Sequence, residues 1–214
     1  MNVDWNAIGA YAEAHSTPPP ELFERLDAET RETQSSPGMM IGAVGGAFLS
    51  FVVGMKQPRR VLEIGTFTGW SSIAMASALP PGGTLVTCDV NEETSAIARR
   101  YAEEAGVADR IDFRLGPAAE TLGSLEGPFD LVFIDADKSA YVDYYEGVLP
   151  KLADDGVILV DNTLSDGDAL EPNGPISRVI ARFNAHVRDD DRVECLLATV
   201  RDGITLIRKR RAPA

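Results

Sequence analysis

Two acidic residues and an amide stand directly after two apolar runs of the sequence. The run 129–134 is followed by Asp135, and the run 157–160 is followed by Asp161 and Asn162. Short apolar runs of this kind are typical of buried parallel strands, whose carboxyl ends meet at one edge of a sheet. Carboxylate and amide oxygens are ligands that Mg²⁺ or a similar hard cation accepts. We therefore predict a divalent metal site at these residues; the alternative is that both aspartates only cap the helices that follow them.

The candidates for proton transfer near this site are few. Lys138 lies three residues after Asp135. A nearby divalent cation disfavours its ammonium form through like-charge repulsion, so Lys138 is the candidate general base, with Asp135 as its catalytic neighbour. The carboxylate of Asp137 has the opposite effect, and the sequence does not decide between the two. His15 and His186 fall in predicted helices away from the strand ends and are expected to face solvent.

A glycine-containing turn follows the apolar run 60–64. Gly65 and Gly69 bracket three other residues before a helix-like segment, so the backbone can approach a nucleotide closely. The middle glycine of the dinucleotide fingerprint is missing, and Glu63 would repel a pyrophosphate. The same carboxylate attracts a cationic ligand such as S-adenosylmethionine, and Asp89 after the next apolar run suits a ribose diol. We predict S-adenosylmethionine as cofactor; NAD is the less favoured alternative, and an ordinary strand-to-helix turn is the simplest one.

The spacing of apolar runs and chain breakers predicts the elements that position these residues. Strands are expected at 60–65, 84–89, 110–115, 129–135, 156–161, 192–199 and 203–209. Helices are expected at 5–14, 20–34, 43–55, 69–79, 92–105, 117–124, 139–152 and 175–187. Alternating strands and helices indicate a parallel sheet, whereas the short turn at 200–202 can join only antiparallel strands. The predicted fold class is α/β: a Rossmann-like, mostly parallel seven-stranded sheet with an antiparallel C-terminal hairpin strand and N-terminal helices.

Composition limits the class of protein. The 214 residues are 44% hydrophobic, which favours a single domain over 1–214, with 1–55 as a helical cap or lid. The 20 Lys and Arg against 33 Asp and Glu give a net charge of −13, which disfavours nucleic acid and anionic membranes as partners. The basic residues at 208–211 are expected to form a solvated end.

Two further features concern the compartment. Cys88 and Cys195 each lie in an apolar run, and both are predicted to be buried as small hydrophobic side chains. The N-terminus lacks the pattern of a secretory signal, and we expect no apolar run to approach the roughly 20 residues of a membrane helix. Cytoplasmic residence is the resulting prediction.

Four stretches of the chain carry a resemblance to a known family: VLEIGTFTGWS at 61–71, FIDADK at 133–138, DNTL at 161–164 and DGITL at 202–206. Together they resemble the cation-dependent catechol and caffeoyl-coenzyme A O-methyltransferases, within the class I S-adenosylmethionine-dependent fold. The similarity extends from about Met39 to the C-terminus. The segment 39–46 departs from the plant-like pattern, because it lacks the acidic, Ser-containing turn often seen there.

The resemblance implies a role for each site residue. Asp135, Asp161 and Asn162 would bind the metal, and Lys138 would take the phenol proton. The residues assigned to the methyl donor are Ile41, Glu63, Gly65, Thr66, Ser71, Asp89, Ala118 and Asp137. Asp166 falls at a substrate-contacting position.

These residues predict methyl transfer from S-adenosylmethionine to one oxygen of a vicinal aromatic diol, with both oxygens on the cation. The alternatives are a metal-independent methyltransferase, an NAD-binding oxidoreductase, and a binding module that keeps the donor site without activity. Aromatic side chains in the N-terminal helices predict a homodimer seam or a substrate lid, with packing on the sheet as the alternative. They are Trp5, Tyr11, Phe23, Phe48 and Phe51.

Overall fold

A seven-stranded sheet forms the centre of the protein in this computed structural model, which describes residues 4–210 except for the side chain of Asn6. The strands are β1 (Arg60–Ile64), β2 (Thr84–Asp89), β3 (Ile111–Leu115), β4 (Phe129–Ile134), β5 (Leu152–Val160), β6 (Val193–Ala198) and β7 (Ile204–Lys209). They lie in the order β3-β2-β1-β4-β5-β7-β6. β1 to β5 are parallel, and β7 pairs antiparallel with both β5 and β6. The predicted fold class is confirmed.

Eight α-helices surround the sheet in the described part of the chain. They are α1 (Trp5–Ala14), α2 (Glu21–Thr33), α3 (Gly42–Lys56), α4 (Trp70–Ala78), α5 (Glu92–Glu104), α6 (Ala118–Ser124), α7 (Tyr141–Val148) and α8 (Pro175–Arg188). Because the chain leaves β1 for β2 and β3 and then returns to β4, the order of the sheet reverses between β1 and β4. Open α/β sheets bind their ligands at this kind of reversal.

The apolar strands are explained by burial on both faces of the sheet. On one face, Val61, Leu131 and Leu159 pack with α3, α4 and α5. Their neighbours Leu62 and Val132 point to the other face, where α7 and α8 contribute Tyr141, Tyr145 and Phe183. Successive strand residues point to opposite faces, so a strand covered on both sides needs a continuous apolar run.

Two predicted boundaries around β5 were inaccurate. The predicted helix 139–152 ends as α7 at Val148, and Leu149–Lys151 forms a 3₁₀ turn because Pro150 has no N–H to continue the helix. β5 begins at Leu152 rather than at residue 156. Its pairing with β4 shifts between Phe129 and Leu131, so the acidic residues before Gly156 bulge out of the ladder.

The C-terminal strands correct one prediction and modify another. Cys88 is buried, but Cys195 is exposed because it lies on the edge strand β6. In the basic end, Arg208 pairs with Glu194 and Lys209 pairs with Asp154. Residue 211, which the sequence prediction also included, lies outside the described residues. The basic end is therefore partly neutralised by neighbouring acidic side chains.

The expectation that no apolar run approaches membrane-spanning length was wrong for the segment Pro37–Lys56. Within these 20 residues, an 18-residue stretch has a mean hydropathy of 1.8, and a third of that stretch is buried. Its helix α3 packs against α4 and buries Leu49 and Val53, as a core helix of a globular protein does. The same helix leaves Phe51 72% exposed and Met55 76% exposed, so one apolar face has no partner within the described residues.

Candidate active site

A crevice of about 870 Å³ opens at the carboxyl ends of β1, β2, β4 and β5. One side, which we call the glycine-turn side, consists of residues 65–68, 70, 71 and Asp89. The other side, the acidic side, consists of Asp135, Lys138, Asp161 and Asn162. A volume of this size suits a small-molecule ligand pair, and its position at the reversal of the sheet order is the expected one.

Gly65 joins the two sides. Its φ is +104°, and a Cβ at this position would lie 1.9 Å from the carbonyl oxygen of Asp135. Its amide donates to the carbonyl oxygen of Cys88 at 2.9 Å, which fixes the turn over β2. Only glycine combines this backbone conformation with this close approach. The turn after β1 is therefore packed directly against the strand end that carries Asp135.

Asp89 is held by backbone amides. Its Oδ2 accepts hydrogen bonds from the amides of Thr66 at 3.0 Å and Phe67 at 2.7 Å, and its Oδ1 accepts from the amide of Asn91 at 2.9 Å. A carboxylate has about four lone-pair sites, so these three bonds leave capacity for another donor. The carboxylate of Asp89 is thus fixed in the crevice wall and can still accept a ligand hydroxyl.

Glu63 lies beneath the crevice and is fully buried. Its Oε2 accepts hydrogen bonds from the hydroxyls of Ser72 and Thr87, while its Oε1 has no hydrogen-bond partner. Burial raises the pKa of this carboxyl to about 7, against the opposing effect of the Ser71, Ser72 and Thr87 hydroxyls. The structure places Glu63 behind Ser71, outside the crevice lining, and its contact with a donor stays a prediction.

The other residues predicted to bind the donor line the crevice. They are Ile41, Gly65, Thr66, Ser71, Asp89, Ala118 and Asp137. Asp137 accepts hydrogen bonds from the amide and the hydroxyl of Ser139, at 3.0 and 2.7 Å. These bonds lower the pKa of its carboxyl, so Asp137 presents a negative charge at neutral pH.

The three predicted metal ligands lie together on the acidic side. The ammonium of Lys138 donates to Asp135 Oδ1 at 2.7 Å and to Asn162 Oδ1, and it contacts the hydroxyl of Tyr141 at 2.8 Å. Asn162 itself has a φ of +57°, a left-handed turn that is most accessible to Gly and Asn. The strand ends of β4 and β5 therefore meet around one lysine, as the sequence predicts.

Asp161 is the most buried member of this group, with 1% of its surface exposed. Its Oδ2 accepts from Arg201 Nη1 at 3.0 Å, and its Oδ1 has no hydrogen-bond partner. Burial and the nearby charge of Asp135 raise the pKa of Asp161 to about 6. A buried oxygen without a partner is uncommon, because it has lost its water without replacement. A cation beside this oxygen would satisfy it.

The donor set fits a hard divalent cation in its chemistry. It provides two carboxylates and one amide oxygen, with room in the crevice for a ligand. Among residues 4–210, no group of three or more His, Cys, Asp or Glu side chains is placed to hold a metal ion. The fit therefore rests on a mixed set of two acids and an amide, without a softer site competing in the described part of the chain.

Sequence reasoning missed Arg201 and Tyr141. Arg201 lies in the turn between β6 and β7, which sequence analysis treats only as a connection. Because Val160 of β5 pairs with Thr205 of antiparallel β7, this turn lies over the carboxyl end of β5. Tyr141 is buried, and its hydroxyl donates to the carbonyl oxygen of Asp161 at 3.1 Å. The sequence signal that could have pointed to Arg201 is a basic residue in the tight turn 200–202, directly before Asp202.

The remaining predicted residues are more peripheral. Asp166 is exposed at the rim of the crevice, and its amide donates to Asp202 Oδ1. His15 and His186 are both exposed and lie outside the crevice, as predicted. His186 contacts Glu146 at 2.8 Å. Neither histidine is placed to take part in chemistry at the strand ends.

The order of the sheet, its antiparallel β7 and the crevice at the β1/β4 reversal together define a Rossmann-like methyltransferase fold. Comparisons with known proteins agree: residues 13–210 match the family model described as O-methyltransferase. The chain is 38% identical over 185 residues to caffeoyl-CoA O-methyltransferase 1 of Zea mays, covering 80% of this chain and 72% of that protein. The chain belongs to the O-methyltransferase family.

Solved structures show the same fold. SAH-bound methyltransferase PaMTH1 of Podospora anserina has a TM-score of 0.90 and 30% identity, covering 96% of this chain and 95% of that one. The O-methyltransferase TomG of Streptomyces achromogenes, in complex with SAM, has a TM-score of 0.85 and 30% identity, covering 96% of each chain. Family membership sets aside the NAD-binding oxidoreductase that the sequence alone left open.

Proposed function

We propose that this O-methyltransferase transfers the methyl group of S-adenosylmethionine to one oxygen of a vicinal aromatic diol. A divalent cation, for which we propose Mg²⁺, would hold the diol in place. The observation that carries the proposal is the meeting of Asp135, Asp161 and Asn162 in the same crevice as the glycine turn and Asp89. A ligand pair in this crevice would lie with its donor on the glycine-turn side and its acceptor on the acidic side.

S-adenosylmethionine as the donor is supported by the crevice and by the relatives. PaMTH1 was solved with SAH and TomG with SAM. Asp89 keeps lone pairs for a ribose hydroxyl, and the negative charge of Asp137 favours a sulfonium with its amino group over a pyrophosphate. The backbone near Ile41 and Ala118 would complete the donor site.

The acidic side supports a resident divalent cation, held by Asp135, Asp161 and Asn162. When bound, such a cation would lower the pKa of a phenolic hydroxyl and fix two neighbouring oxygens of the substrate. Lys138 Nζ, in the neutral amine form that a neighbouring divalent cation favours, would be the group of the chain that takes the hydroxyl proton, since Asp135, Asn162 and Tyr141 hold it in the crevice. The phenolic oxygen would then form a bond to the methyl carbon as the bond from that carbon to sulfur breaks.

One observation favours a second candidate, a metal-independent methyltransferase. Lys138 and Arg201 already pair with the two carboxylates, so the acidic side is close to neutral without any ion. In that case both aspartates would serve to orient the two cationic side chains, and Lys138 would meet the acceptor hydroxyl directly. The two candidates differ in what chelation does to turnover.

A substrate panel with chelation tests the proposal. Catechol, resorcinol and phenol are incubated with S-adenosylmethionine and metal-stripped protein, with and without added Mg²⁺, and methylated products are measured by mass spectrometry. We expect methylation of catechol alone, and only with Mg²⁺, because only the 1,2-diol places two oxygens on one cation. Equal methylation of phenol, or undiminished methylation of catechol in chelator, would support the metal-independent candidate instead.

We also propose that the chain forms a homodimer. Trp5 and Tyr11 of α1 are 64% and 67% exposed, and Phe51 and Met55 of α3 are also exposed apolar side chains. Of the aromatic residues predicted to lie at a seam, Phe23 is buried instead, and Phe48 packs against the core. Light scattering of the wild type and of Phe51→Glu tests the dimer, with a monomeric variant as the expected result. A wild-type mass of one chain would contradict it.

Acidic composition supports two further proposals about partners and location. A net charge of −13 disfavours binding to nucleic acid and to anionic membranes, so we propose a small molecule as the acceptor and the cytoplasm as the compartment. Fractionation of cells that express a tagged protein tests the location. Recovery with the membrane fraction after a high-salt wash would contradict it.

A further inference from the structure

The two carboxylate oxygens of Asp161 have different environments. Oδ2 accepts from Arg201 Nη1 at 3.0 Å, whereas Oδ1 is buried and has no hydrogen-bond partner. The carboxylate is therefore held by one oxygen, and the other is left to the crevice. Sequence analysis gave Arg201 no role, and the proposed reaction does not use it.

Arg201 is held in place by two locally unfavourable features. Its φ is +51°, in the left-handed region that is unfavourable for a residue with a side chain. Across from Arg201, Gly45 lies inside α3, where glycine weakens a helix relative to alanine. A Cβ on Gly45 would lie 2.8 Å from Arg201 Cδ and 2.4 Å from Ile41 Cγ1.

These features keep the guanidinium at Asp161. Gly45 leaves the space through which the Arg201 side chain passes, and Arg201 Nη2 lies 3.5 Å from the carbonyl oxygen of Met40. The Arg201 side chain is 26% exposed, so its pair with Asp161 is largely shielded from water. Two elements far apart in the sequence, α3 and the β6–β7 turn, thus together place the Arg201 guanidinium on Asp161 Oδ2.

We propose that Arg201 restricts Asp161 to a single oxygen, Oδ1, as a ligand and thereby selects small divalent cations over Ca²⁺. The inference rests on the metal site of the proposed function. Mg²⁺ demands near-octahedral geometry with compact ligands, whereas Ca²⁺ accepts six to eight oxygens and often takes both oxygens of a carboxylate. With Oδ2 held by the guanidinium, Asp161 has no second oxygen to give. Arg201 is a positioning residue in this account.

Charge adds to the same effect. Asp135 and Asp161 carry two negative charges, and Lys138 and Arg201 carry two positive charges against them. Removing the guanidinium makes the set more negative, which strengthens binding of any divalent cation. The charge effect alone raises the affinities for Ca²⁺ and Mg²⁺ together. The quantity that tests the proposal is therefore the ratio of Ca²⁺ affinity to Mg²⁺ affinity.

The test is isothermal calorimetry of Mg²⁺ and Ca²⁺ binding to the full-length metal-stripped protein and to Arg201→Met, which keeps the aliphatic stem without the guanidinium. We expect the Ca²⁺ to Mg²⁺ affinity ratio to rise about tenfold or more, the usual scale for groups that orient a metal ligand. Arg201→Lys should give a smaller rise, because a single ammonium still occupies Oδ2. Arg208→Met removes an arginine that pairs with Glu194 outside the crevice and should leave both affinities unchanged.

A second variant approaches the same contact from α3. Gly45→Ala introduces a Cβ into the space of the Arg201 side chain and should also raise the ratio, so the test does not depend on Arg201→Met being folded. The thermal unfolding midpoint, measured for every variant, identifies any general damage to the fold. Binding of both ions with an unchanged ratio in folded variants would overturn the role of Arg201 alone. Failure of either ion to bind any of the proteins would overturn the metal site and this inference together.

Discussion

The two sides of the crevice hold their negative charges by different means. On the glycine-turn side, Asp89 is bound by the backbone amides of Thr66, Phe67 and Asn91. On the acidic side, Asp135 is bound by a lysine and Asp161 by an arginine. Backbone amides are fixed by the turn, whereas a long cationic side chain can be exchanged for another cation. The glycine-turn side is therefore preorganised, whereas the acidic side is balanced by exchangeable charge.

The difference follows from how each side is built. The turn after β1 is confined by Gly65 against the Asp135 carbonyl, so its amides have few alternatives. The acidic side is made of side chains from β4, β5 and the β6–β7 turn, which meet only through tertiary structure. We expect changes on the acidic side to affect acceptor chemistry and leave donor affinity intact, and the reverse for the glycine-turn side.

The largest effect is expected from removing a residue that we propose to bind the metal. Asp135→Ala or Asp161→Ala should reduce turnover of catechol by at least about 10³-fold, roughly 4 kcal/mol at the transition state, because the cation and the orientation of the diol are lost together. SAH affinity, measured by calorimetry, should change little, since backbone amides hold Asp89.

Asp168→Ala is the matched control, because this aspartate is exposed and lies outside the crevice. Its turnover should equal that of the wild type. A large loss of SAH affinity in the two ligand variants would break the distinction between the two sides.

The next effect concerns Lys138, which contacts oxygens of both Asp135 and Asn162. Lys138→Met should lower turnover about 10²-fold, the lower end of the range for a lost general base. Its Mg²⁺ affinity should rise, because the competing ammonium is gone.

The rise in Mg²⁺ affinity distinguishes Lys138 from the proposed metal ligands Asp135 and Asp161, because the loss of either ligand should lower Mg²⁺ affinity. Lys138→Arg keeps a positive charge but is a poor base, and it should be as inactive as Lys138→Met without the gain in Mg²⁺ affinity. Turnover of Lys138→Met close to the wild-type value would exclude Lys138 as the proton acceptor.

An effect of similar size concerns the stability of the glycine-turn side and its dependence on pH. Burial raises the pKa of Glu63 from 4.5 to about 7, so the folded state holds this proton more tightly than the unfolded state. The folded protein should therefore lose stability as the pH rises from about 4.5 to about 7, to a total of about 3 kcal/mol, and little of this cost exists below pH 4.5.

Glu63→Gln removes the titrating group, so its unfolding free energy should exceed that of the wild type by a margin that grows between pH 5 and pH 8. Urea denaturation of both proteins without ligand, at four pH values across this range, measures the margin. Glu120→Gln, in an exposed position on α6, serves as the control. Parallel stability curves for Glu63→Gln and the wild type would show that the carboxyl titrates normally.

The smallest effect is expected at Asp89. Asp89→Asn keeps one oxygen that can accept from the turn amides. Its NH₂ group replaces the second oxygen and cannot accept a hydrogen bond from the amide of Asn91 or from a ribose hydroxyl. SAH affinity should fall about tenfold, near 1.4 kcal/mol, while Mg²⁺ affinity stays as in the wild type. Asp112→Asn on β3 is the control, because that aspartate is exposed and pairs with Arg114. Unchanged SAH affinity in Asp89→Asn would remove Asp89 from the donor site.

Most of the fold could be predicted from the sequence, and so could the meeting of Asp135, Asp161 and Asn162. Buried parallel strands appear as apolar runs, and their carboxyl ends converge whatever the order of the strands. Arg201 could not be predicted, because its position over Asp161 depends on β7 lying between β5 and β6. Glu63 was expected in the crevice, but alternation along β1 directs it beneath the turn. Cys195 was predicted to be buried because an apolar run does not distinguish an edge strand from a central one.

The central claim is that a divalent cation joins the diol to Asp135, Asp161 and Asn162. Calorimetry of catechol binding to the SAH complex, with and without Mg²⁺ in metal-stripped protein, tests it most directly. The account predicts that catechol binds measurably only when Mg²⁺ is present, and that phenol binds weakly in both conditions. Equal affinity for catechol with and without Mg²⁺ would contradict it.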